Sequence, residues 1–227
     1  MSAPLIDLNP DYFCLRIGGA DAQSFLQAQL TVDLRALSER QAALTAWCDP
    51  QGRVRALGQL WPEADAWFLL APSAQQQAWS ALQRYVLRAQ VQFETLPPPW
   101  GRVGPAGVSQ IALSAQRSLS WESEPAERAP ASLWACLGAL EGEVQLPAQE
   151  LGQHLAQNLG LRPEAGFSLR KGCYPGQEII ARVHYRGRPP YRLHTRIGPQ
   201  PLEEALFQAE LPHAPGYWIS QALKPAK

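Results

Sequence analysis

Residues 171–178 read Lys-Gly-Cys-Tyr-Pro-Gly-Gln-Glu, the most unusual stretch in a chain of 227 residues. Cys173 stands between two glycines, two positions after Lys171. Gly172 and Gly176 permit backbone angles that are closed to other residues, and amides exposed in such a loop can hold an anion or a thiolate. A nearby ammonium favours the thiolate and lowers the pKa of the thiol. We therefore predict that Cys173 is a functional thiol and that Lys171 tunes it.

The local chemistry leaves a second interpretation of Cys173 open, because a cysteine in a glycine-rich loop is often a small residue that simply fits. His184 and His194 could supply a base for the thiol, but both are predicted on strands with arginine neighbours, which favours a solvated strand face. No second thiol or carboxylate has ligand spacing, so we predict no metal site. The other cysteines lie in apolar contexts and are predicted core residues: Cys14, Cys48 and Cys136.

The charges of the chain balance, with 20 Lys and Arg against 20 Asp and Glu. This balance argues against broad electrostatic binding to nucleic acid or to an anionic membrane, although it leaves room for a local basic patch. No apolar stretch approaches the roughly 20 residues of a membrane helix, and we see no secretory signal. Without a Cys-x-x-Cys pair, free thiols in a reducing cytoplasm are expected. We also expect a monomer.

Arginine supplies nearly all of the basic residues. The lysines are Lys171, Lys224 and Lys227, and the last two lie in a C-terminal tail, so the body of the chain contains one lysine. Codon bias explains the general skew toward arginine. It does not explain why Lys171 is a lysine.

Apolar periodicity and turn residues predict an α+β fold with helices packed on one side of a sheet. The residues 49–52, Asp-Pro-Gln-Gly, have turn chemistry and predict a hairpin. In the strand from Tyr191 onward, every second residue is expected to be buried. The opposite face of this strand is expected to be basic and exposed to solvent. An exposed loop is predicted over 122–130, and the chain from Pro199 is weakly patterned. The predicted strands are 12–17, 43–48, 54–60, 67–70, 90–94, 108–113, 133–137, 179–185 and 191–197.

Three helices are predicted from capping and spacing signals. Asp21 is the expected N-cap of the first, and Ser73 with Gln76 forms a capping-box pattern that opens the second. Leucines at every fourth position over 151–159, followed by Gly160, predict a third helix that ends there.

Three segments of the chain together carry a resemblance to a known family. Residues 171–178 resemble the Lys-Gly-Cys-Tyr-x-Gly-Gln-Glu signature of the YgfZ-type folate-binding proteins, which are relatives of the glycine-cleavage T-protein (aminomethyltransferase) and are implicated in iron–sulfur cluster assembly or repair. Residues 21–33 are similar to the FLQGQLT.D segment of that family, with Ala28 in place of Gly. Residues 48–53 resemble its CDPKGR hairpin, with Gln51 in place of Lys.

The resemblance implies an α+β aminomethyltransferase (GcvT)-like fold with antiparallel sheets. Residues 1–185 would form the folate-binding region, and 186–227 a shortened C-terminal β-barrel-like segment. Tetrahydrofolate would occupy a central pocket with aromatic and apolar walls for the pterin and arginine for the acidic tail. Gln177 and Glu178 are also expected to order the loop. The residues we predict to bind the cofactor are Trp47, Asp49, Arg53, Tyr174, Gln177 and Glu178.

The function implied by the resemblance is that of a tetrahydrofolate-binding factor that supports iron–sulfur cluster assembly or repair in client enzymes, with Cys173 at the mouth of the pocket. Its partners would be folate and iron–sulfur client enzymes or assembly proteins. Two alternatives stay open: a folate-dependent one-carbon (aminomethyl) transferase, and a non-catalytic interaction module. Transferases of the family place an acidic residue near the hairpin, whereas here no carboxylate stands between Gly52 and Glu63.

Overall fold

A computed structural model describes residues 5–107, 109–121, 128–163, 165–212 and 214–226. Its helices are α1 (Ala22–Gln29), α2 (Gln76–Ala81), α3 (Ala131–Leu140) and α4 (Gln177–Arg186). Its strands are β1 (Leu5–Ile6), β2 (Tyr12–Gly18), β3 (Ala43–Cys48), β4 (Val54–Glu63), β5 (Ala66–Pro72), β6 (Gln92–Leu96), β7 (Trp100–Val103), β8 (Ile111–Ala112), β9 (Arg117–Ser120), β10 (Arg128–Ala129), β11 (Arg162–Pro163), β12 (Gly166–Phe167), β13 (Tyr191–Gly198), β14 (Phe207–Glu210) and β15 (Trp218–Pro225). No helix within these residues is long and apolar enough to cross a membrane.

The first sheet has five antiparallel strands in the order β3-β4-β5-β2-β6. Side chains on successive residues of a strand point to opposite faces, and β2 shows this directly. Phe13 and Leu15 pack in the cluster that contains Phe25 of α1 and Trp79 of α2, whereas Cys14 packs in another cluster with Trp134 of α3. The predicted α+β fold, the hairpin of β3 and β4 and the placement of α1 and α2 on one face are confirmed.

The second sheet covers the other face of the first. Its strands run in the order β10-β1-β7-β9-β8, with β1 and β10 parallel and the other pairs antiparallel. Ile6 and Leu119 of this sheet pack in one buried cluster with Trp61 of the first sheet and Trp134 of α3. The molecule therefore has helices on one face of the first sheet and a second sheet on the other. Val108 and residues 122–127, from the predicted strand and loop, lie outside the described residues.

Two predicted strands are wrong, because both segments are helical. Residues 133–137 lie in α3 and residues 179–185 lie in α4. A short run of apolar or β-branched residues does not distinguish a buried strand from a buried helix turn. In α4 the backbone is helical from its first turn, where Ile180 N–H donates to Gly176 O at 3.0 Å, and Ile180 is the buried residue of the helix. His184 therefore lies on a helix and not on the strand we predicted.

The predicted helix over 151–159 is also wrong. This segment forms successive turns, and part of its backbone is bonded to β4: Val54 N–H donates to His154 O, and Gly152 N–H donates to Val54 O. Gly152 and Gly160 have φ of +78° and +86°, angles that a right-handed helix does not contain. Pairing with a strand edge thus overrides the leucine spacing.

The predicted caps differ from those observed. The Asp21 carboxylate accepts the N–H of Gln90 at 2.7 Å and makes no side-chain cap on α1. The Ser73 hydroxyl donates to Pro10 O at 2.6 Å, and the capping box with Gln76 does not form. Both side chains tie distant segments together, which the local pattern could not show.

The C-terminal segment is a three-stranded antiparallel sheet in the order β13-β15-β14. Strand β13 is confirmed, but the prediction that its Tyr191 face is buried is wrong. Tyr191 is 46% and Ile197 50% exposed, and on that face only Leu193 is half-buried, because little of the rest of the molecule packs over this face. The strands β14 and β15 were missed. The predicted boundary between residues 185 and 186 stays a prediction.

Candidate functional site

The ammonium of Lys171 connects the Cys173 loop, defined here as residues 168–176, to the end of α1. Its Nζ donates hydrogen bonds to Leu30 O at 2.6 Å and to Val32 O at 2.7 Å. It also lies 5.1 Å from the centroid of the Tyr174 ring, a cation–π distance. Burial lowers the pKa of Lys171 to about 8. A buried ammonium is tolerated here because carbonyls and an aromatic face surround it.

Further hydrogen bonds join the same two regions of the chain. Ser168 N–H donates to Thr31 O at 2.8 Å, and the Thr31 hydroxyl donates to Gly166 O at 2.6 Å. The Thr31 hydroxyl oxygen also accepts Ala46 N–H at 2.9 Å, which brings in β3. The Tyr174 hydroxyl donates to Ser168 O at 3.0 Å, so a residue near the end of the loop is hydrogen-bonded to the first residue of the loop. The loop therefore has a defined backbone conformation.

The end of the loop rests on the β3–β4 turn. Gly176 has φ of +81°, and a Cβ built there would lie 2.5 Å from Gly52 Cα and 2.6 Å from Asp49 O. The Asp49 carboxylate shapes that turn by accepting the N–H groups of Gln51 and Arg53, both at 2.9 Å. The three segments that carry the family resemblance thus meet at one junction around the loop.

Cys173 is exposed, whereas the other three cysteines are buried. Burial raises the pKa of Cys14 and of Cys48 to about 12 and also raises that of Cys136. The predicted core role of these three is confirmed, and Cys173 is the accessible thiol of the four. The Lys171 ammonium is committed to two carbonyls, so its predicted effect on Cys173 stays a prediction.

A cavity of about 620 Å³, here called the central cavity, adjoins the loop. Val32 and Asp33 line it from the end of α1, and Ser168 and Arg170 line it from the Cys173 loop. The Arg35 guanidinium donates to the Asp33 carboxylate, and this hydrogen bond lowers the pKa of that carboxyl to about 2. Small-molecule pockets have volumes of roughly 300–1,000 Å³, so the central cavity is of ligand size.

One wall of the central cavity carries a buried ion-pair cluster. Arg117 donates through Nε to Glu141 at 2.6 Å and through Nη2 to Glu143 at 2.5 Å. Its guanidinium carbon lies 4.9 Å from the Trp134 ring centroid. Burial alone would lower the pKa of Arg117, but the two carboxylates raise it above its ordinary value. The cluster therefore stays charged and places two carboxylates at the cavity.

A second cavity of about 500 Å³ lies beside the first and is called the basic cavity here. The two cavities share part of their lining: Gly142, Gly160, Arg162 and Phe167. The basic cavity is bounded by α4, β13 and the turn before β11. Its charged and titratable lining residues are Arg162, His184, Arg188 and Arg192.

None of the six residues we predicted to bind the cofactor lines either cavity, and all but Glu178 belong to the loop, the turn beside it, the core or the start of α4 that bonds to the loop. Trp47 is a core residue, edge-on to Tyr85 with ring centroids 5.6 Å apart. Asp49 and Arg53 form the turn, Tyr174 is buried under the loop, and Gln177 donates to Lys171 O at 3.4 Å. Glu178 is exposed in the first turn of α4. The structure therefore directs attention to other residues as candidate ligands.

Sequence reasoning missed the residues that line the central cavity. Gln59 lies in β4 between the buried Gly58 and Leu60, and a polar amide inside an apolar run is the signal that could have identified it. Arg117 is similar, a charged residue in a short strand whose four residues are all buried. Phe167 and Arg162 lie in two-residue strands that have no periodicity to detect.

Comparison with known proteins assigns the class of fold first. The glycine cleavage system aminomethyltransferase T from Bartonella henselae matches with a TM-score of 0.62 and 11% identity, covering 99% of this chain and 78% of that chain. The fold is therefore aminomethyltransferase-like, as the resemblance implied.

The sequence comparisons then assign the family. No family model matches the chain. An uncharacterized protein of Haemophilus influenzae is 30% identical over 194 residues, covering 78% of this chain and 67% of that protein. The tRNA-modifying protein YgfZ of Shigella boydii and that of Escherichia coli are each 28% identical over 221 residues, with the same coverage. The chain belongs to the YgfZ-type family of aminomethyltransferase-like proteins.

Proposed function

We propose that this protein is a cytoplasmic tetrahydrofolate-binding factor that supports iron–sulfur cluster assembly or repair in client enzymes, with Cys173 as its functional thiol. One observation carries the proposal. The Cys173 loop exposes its thiol while Ser168 and Arg170 of the same loop line a ligand-sized cavity. Occupation of the cavity can therefore act on the backbone that presents the thiol, and Lys171 keeps this backbone in place.

The lining of the central cavity fits the chemistry of a folate. A flat pterin requires apolar walls and a polar group for its hydrogen-bonding edge, which Phe167, Leu44 and the Gln59 amide supply. The acidic tail requires cations, and Arg170 and Arg162 lie on the same lining. When bound, tetrahydrofolate supplies a carrier for one-carbon units. The residues of this chain would orient it and exclude water from its ring system.

The thiol is suited to iron chemistry by type and by exposure. A thiolate is a ligand for iron–sulfur clusters, and an accessible cysteine can contact a partner protein without unfolding of the core. We propose iron–sulfur enzymes or assembly proteins as the partners that meet this face. The cluster is cargo in this proposal, not a resident group.

A second candidate, folate-dependent aminomethyl transfer, gains support from one observation. No carboxylate stands between Gly52 and Glu63 of the hairpin, but the central cavity is lined by carboxylates from elsewhere in the chain: Asp33, Glu141 and Glu143. A direct assay of one-carbon transfer from methylene-tetrahydrofolate to an amine acceptor tests this candidate. Turnover that survives Cys173→Ser would favour it over the thiol-based proposal.

Calorimetric titration with tetrahydrofolate, combined with genetic complementation, tests the main proposal. Each variant is expressed in a bacterial strain without its own YgfZ-type protein, and the activity of an iron–sulfur enzyme is measured. We expect Cys173→Ser to bind folate like the wild type but to lose the support of enzyme activity. Cys136→Ala, which removes a buried thiol, is the control. This variant should retain folate binding and the support of enzyme activity. Absence of folate binding to the wild type, or full complementation by Cys173→Ser, would contradict the proposal.

A further inference from the structure

We propose that the outer face of β13 binds the phosphate backbone of a single-stranded nucleic acid, a function separate from that of the two cavities. This surface, here called the basic face, consists of four exposed side chains: Arg192, His194 and Arg196 of β13 and Lys224 of β15. The inference does not rest on the proposed function, because it concerns a different surface and a different ligand.

The register of the C-terminal sheet determines which side chains share the basic face. Successive residues of a strand point to opposite faces, so Arg192, His194 and Arg196 lie in one row. Lys224 lies directly opposite Arg192. The other face of the sheet packs on α3 through Ile219. The row is therefore on the side of the sheet that is turned away from α3.

Arg192 and Lys224 place two like charges at one cross-strand position. Like charges directly opposite each other destabilise an antiparallel pair. The first sheet has the opposite arrangement, since Arg16 of β2 lies opposite Glu94 of β6 and forms an ion pair with it at 3.8 Å. Charges on an edge strand prevent pairing with other chains, which accounts for Arg192 but not for Lys224 on the central strand β15. An anionic ligand that contacts both cations would remove the repulsion.

The charges of the basic face are not neutralised by neighbouring carboxylates. Within the described residues, none of its four side chains makes an ion pair, and Arg196 donates instead to the backbone oxygen of Gln200 at 2.7 Å. Residues 182–196 contain five of the 20 Lys and Arg of the chain and none of the 20 Asp and Glu. The balanced total charge therefore conceals a basic patch, which attracts a polyanion.

The spacing of the cations and the nearby rings favour a nucleic acid over other polyanions. Alternate residues of a strand are about 6.6 Å apart, and successive phosphates of an extended single strand are separated by a similar distance. Guanidinium groups bind phosphate oxygens through paired hydrogen bonds. His194 lies between Arg192 and Arg196, and Tyr191, at the start of the same edge strand, is 46% exposed. Such rings stack on unpaired bases, a contact that a polyglutamate or a lipid headgroup does not offer.

Fluorescence anisotropy with a labelled oligouridine of 20 nucleotides tests the inference. We expect the wild-type protein to bind it with a dissociation constant of about 10 µM or less at 50 mM salt. Contacts with three or four phosphates should weaken the affinity about 20- to 50-fold between 50 and 200 mM salt. Absence of binding to the wild type would overturn the inference.

The test variant is Arg196→Gln/Lys224→Gln, because these two residues line neither cavity, whereas Arg192 also lines the basic cavity. Removal of two phosphate contacts should weaken binding of the oligouridine about tenfold or more at 50 mM salt and should also reduce the salt dependence. Binding of tetrahydrofolate should stay at the level of the wild type. An unchanged affinity for the oligouridine would contradict the role of the basic face.

A matched double variant separates the basic face from general surface charge. Arg84 and Arg88 are exposed, and Val86 between them packs on the cluster that contains α1 and α2. Arg84→Gln/Arg88→Gln removes the same net charge and should bind the oligouridine within about twofold of the wild type, because distant charges are screened. Thermal denaturation checks that both double variants fold. Equal loss of affinity in both would show that only net charge matters, and the inference would be wrong.

Competition experiments identify the polyanion. Unlabelled oligouridine and oligodeoxythymidine of the same length should displace the labelled strand equally well, because both present the same phosphate backbone. Failure of the DNA strand to compete would overturn the assignment of the backbone as the ligand. If polyglutamate or phosphatidylglycerol vesicles compete as well as the oligonucleotides at equal charge, the basic face fits an acidic protein or a membrane surface, and the inference is wrong.

Discussion

The Nζ of Lys171 lies 2.6 Å from the backbone carbonyl oxygen of Leu30, a residue 141 positions earlier in the chain. This contact accounts for the single lysine in the body of an arginine-rich protein. A compact ammonium has three donors that can reach two carbonyls at different angles, whereas a guanidinium is planar, larger and rigid. Lys171 is therefore a positioning residue for the loop that presents Cys173.

Substitution of Lys171 should destabilise the protein. Lys171→Met removes the donor and leaves two carbonyls in a buried site, which we expect to lower the free energy of unfolding by about 1–3 kcal/mol. Lys171→Arg should not restore it. Urea denaturation measures the change, with the exposed Lys224→Met as the matched control. A Lys171→Met protein as stable as the Lys224→Met control would contradict the role assigned to Lys171.

The stabilising contribution of Lys171 should depend on pH. Burial lowers its pKa from 10.5 to about 8, so between these values the unfolded chain holds more protons than the folded one. Stability therefore rises with pH across this window, and the contribution is lost as pH falls through 8. Between pH 7.5 and 9.5 the difference in unfolding free energy between wild type and Lys171→Met should grow by on the order of 1–2 kcal/mol. A difference that stays constant would refute this.

The two glycines of the Cys173 loop should respond differently to alanine. Gly176 has φ of +81° and packs against backbone atoms of Gly52 and Asp49, so a methyl group meets both strain and collision. We expect Gly176→Ala to cost about 2 kcal/mol or more. A Cβ at Gly172 meets no atom within 4 Å, so Gly172→Ala is the control and should be within about 0.5 kcal/mol of wild type. Thermal denaturation of both variants tests this, and equal losses would count against it.

Thiol labelling should single out Cys173 in the native protein. Three cysteines are buried and have raised pKa values: Cys14, Cys48 and Cys136. A reagent therefore cannot reach these thiols in the native protein, and little of the reactive thiolate forms at them. N-ethylmaleimide should therefore modify one thiol rapidly in native protein and all four in denaturant. Intact-mass spectrometry of wild type and Cys173→Ser gives the count. Rapid native labelling of Cys173→Ser would show that the core opens.

Replacement of Gln59 tests where the folate ring system lies. Gln59→Leu keeps the approximate size of the side chain but removes the amide from a residue that lines the central cavity. We expect tetrahydrofolate binding to weaken about tenfold, the loss of one or two hydrogen bonds. The exposed Gln83→Leu is the matched control. Unchanged affinity in Gln59→Leu would place the ring system elsewhere.

Local sequence patterns predicted the elements whose contacts are local. The β3–β4 hairpin follows from a turn sequence between two alternating segments, and β2 and β5 follow from short apolar runs. The patterns failed for α3 and α4, because a short, largely apolar run is compatible both with the two-residue period of a strand and with the 3.6-residue period of a helix. They failed again at 151–159, where Gly152 N–H and His154 O are hydrogen-bonded to Val54 and are therefore not available for helical hydrogen bonds.

The sequence by itself determined the unusual loop around Cys173, the family to which it belongs, and the core role of the other three cysteines. Composition and short motifs carry this information because it depends on residue type and on near neighbours. Only the tertiary structure decided what Lys171 contacts and which residues line the two cavities. Those relations join segments more than 100 positions apart, such as Val32 and Lys171, and no periodicity records which distant carbonyl an ammonium will meet.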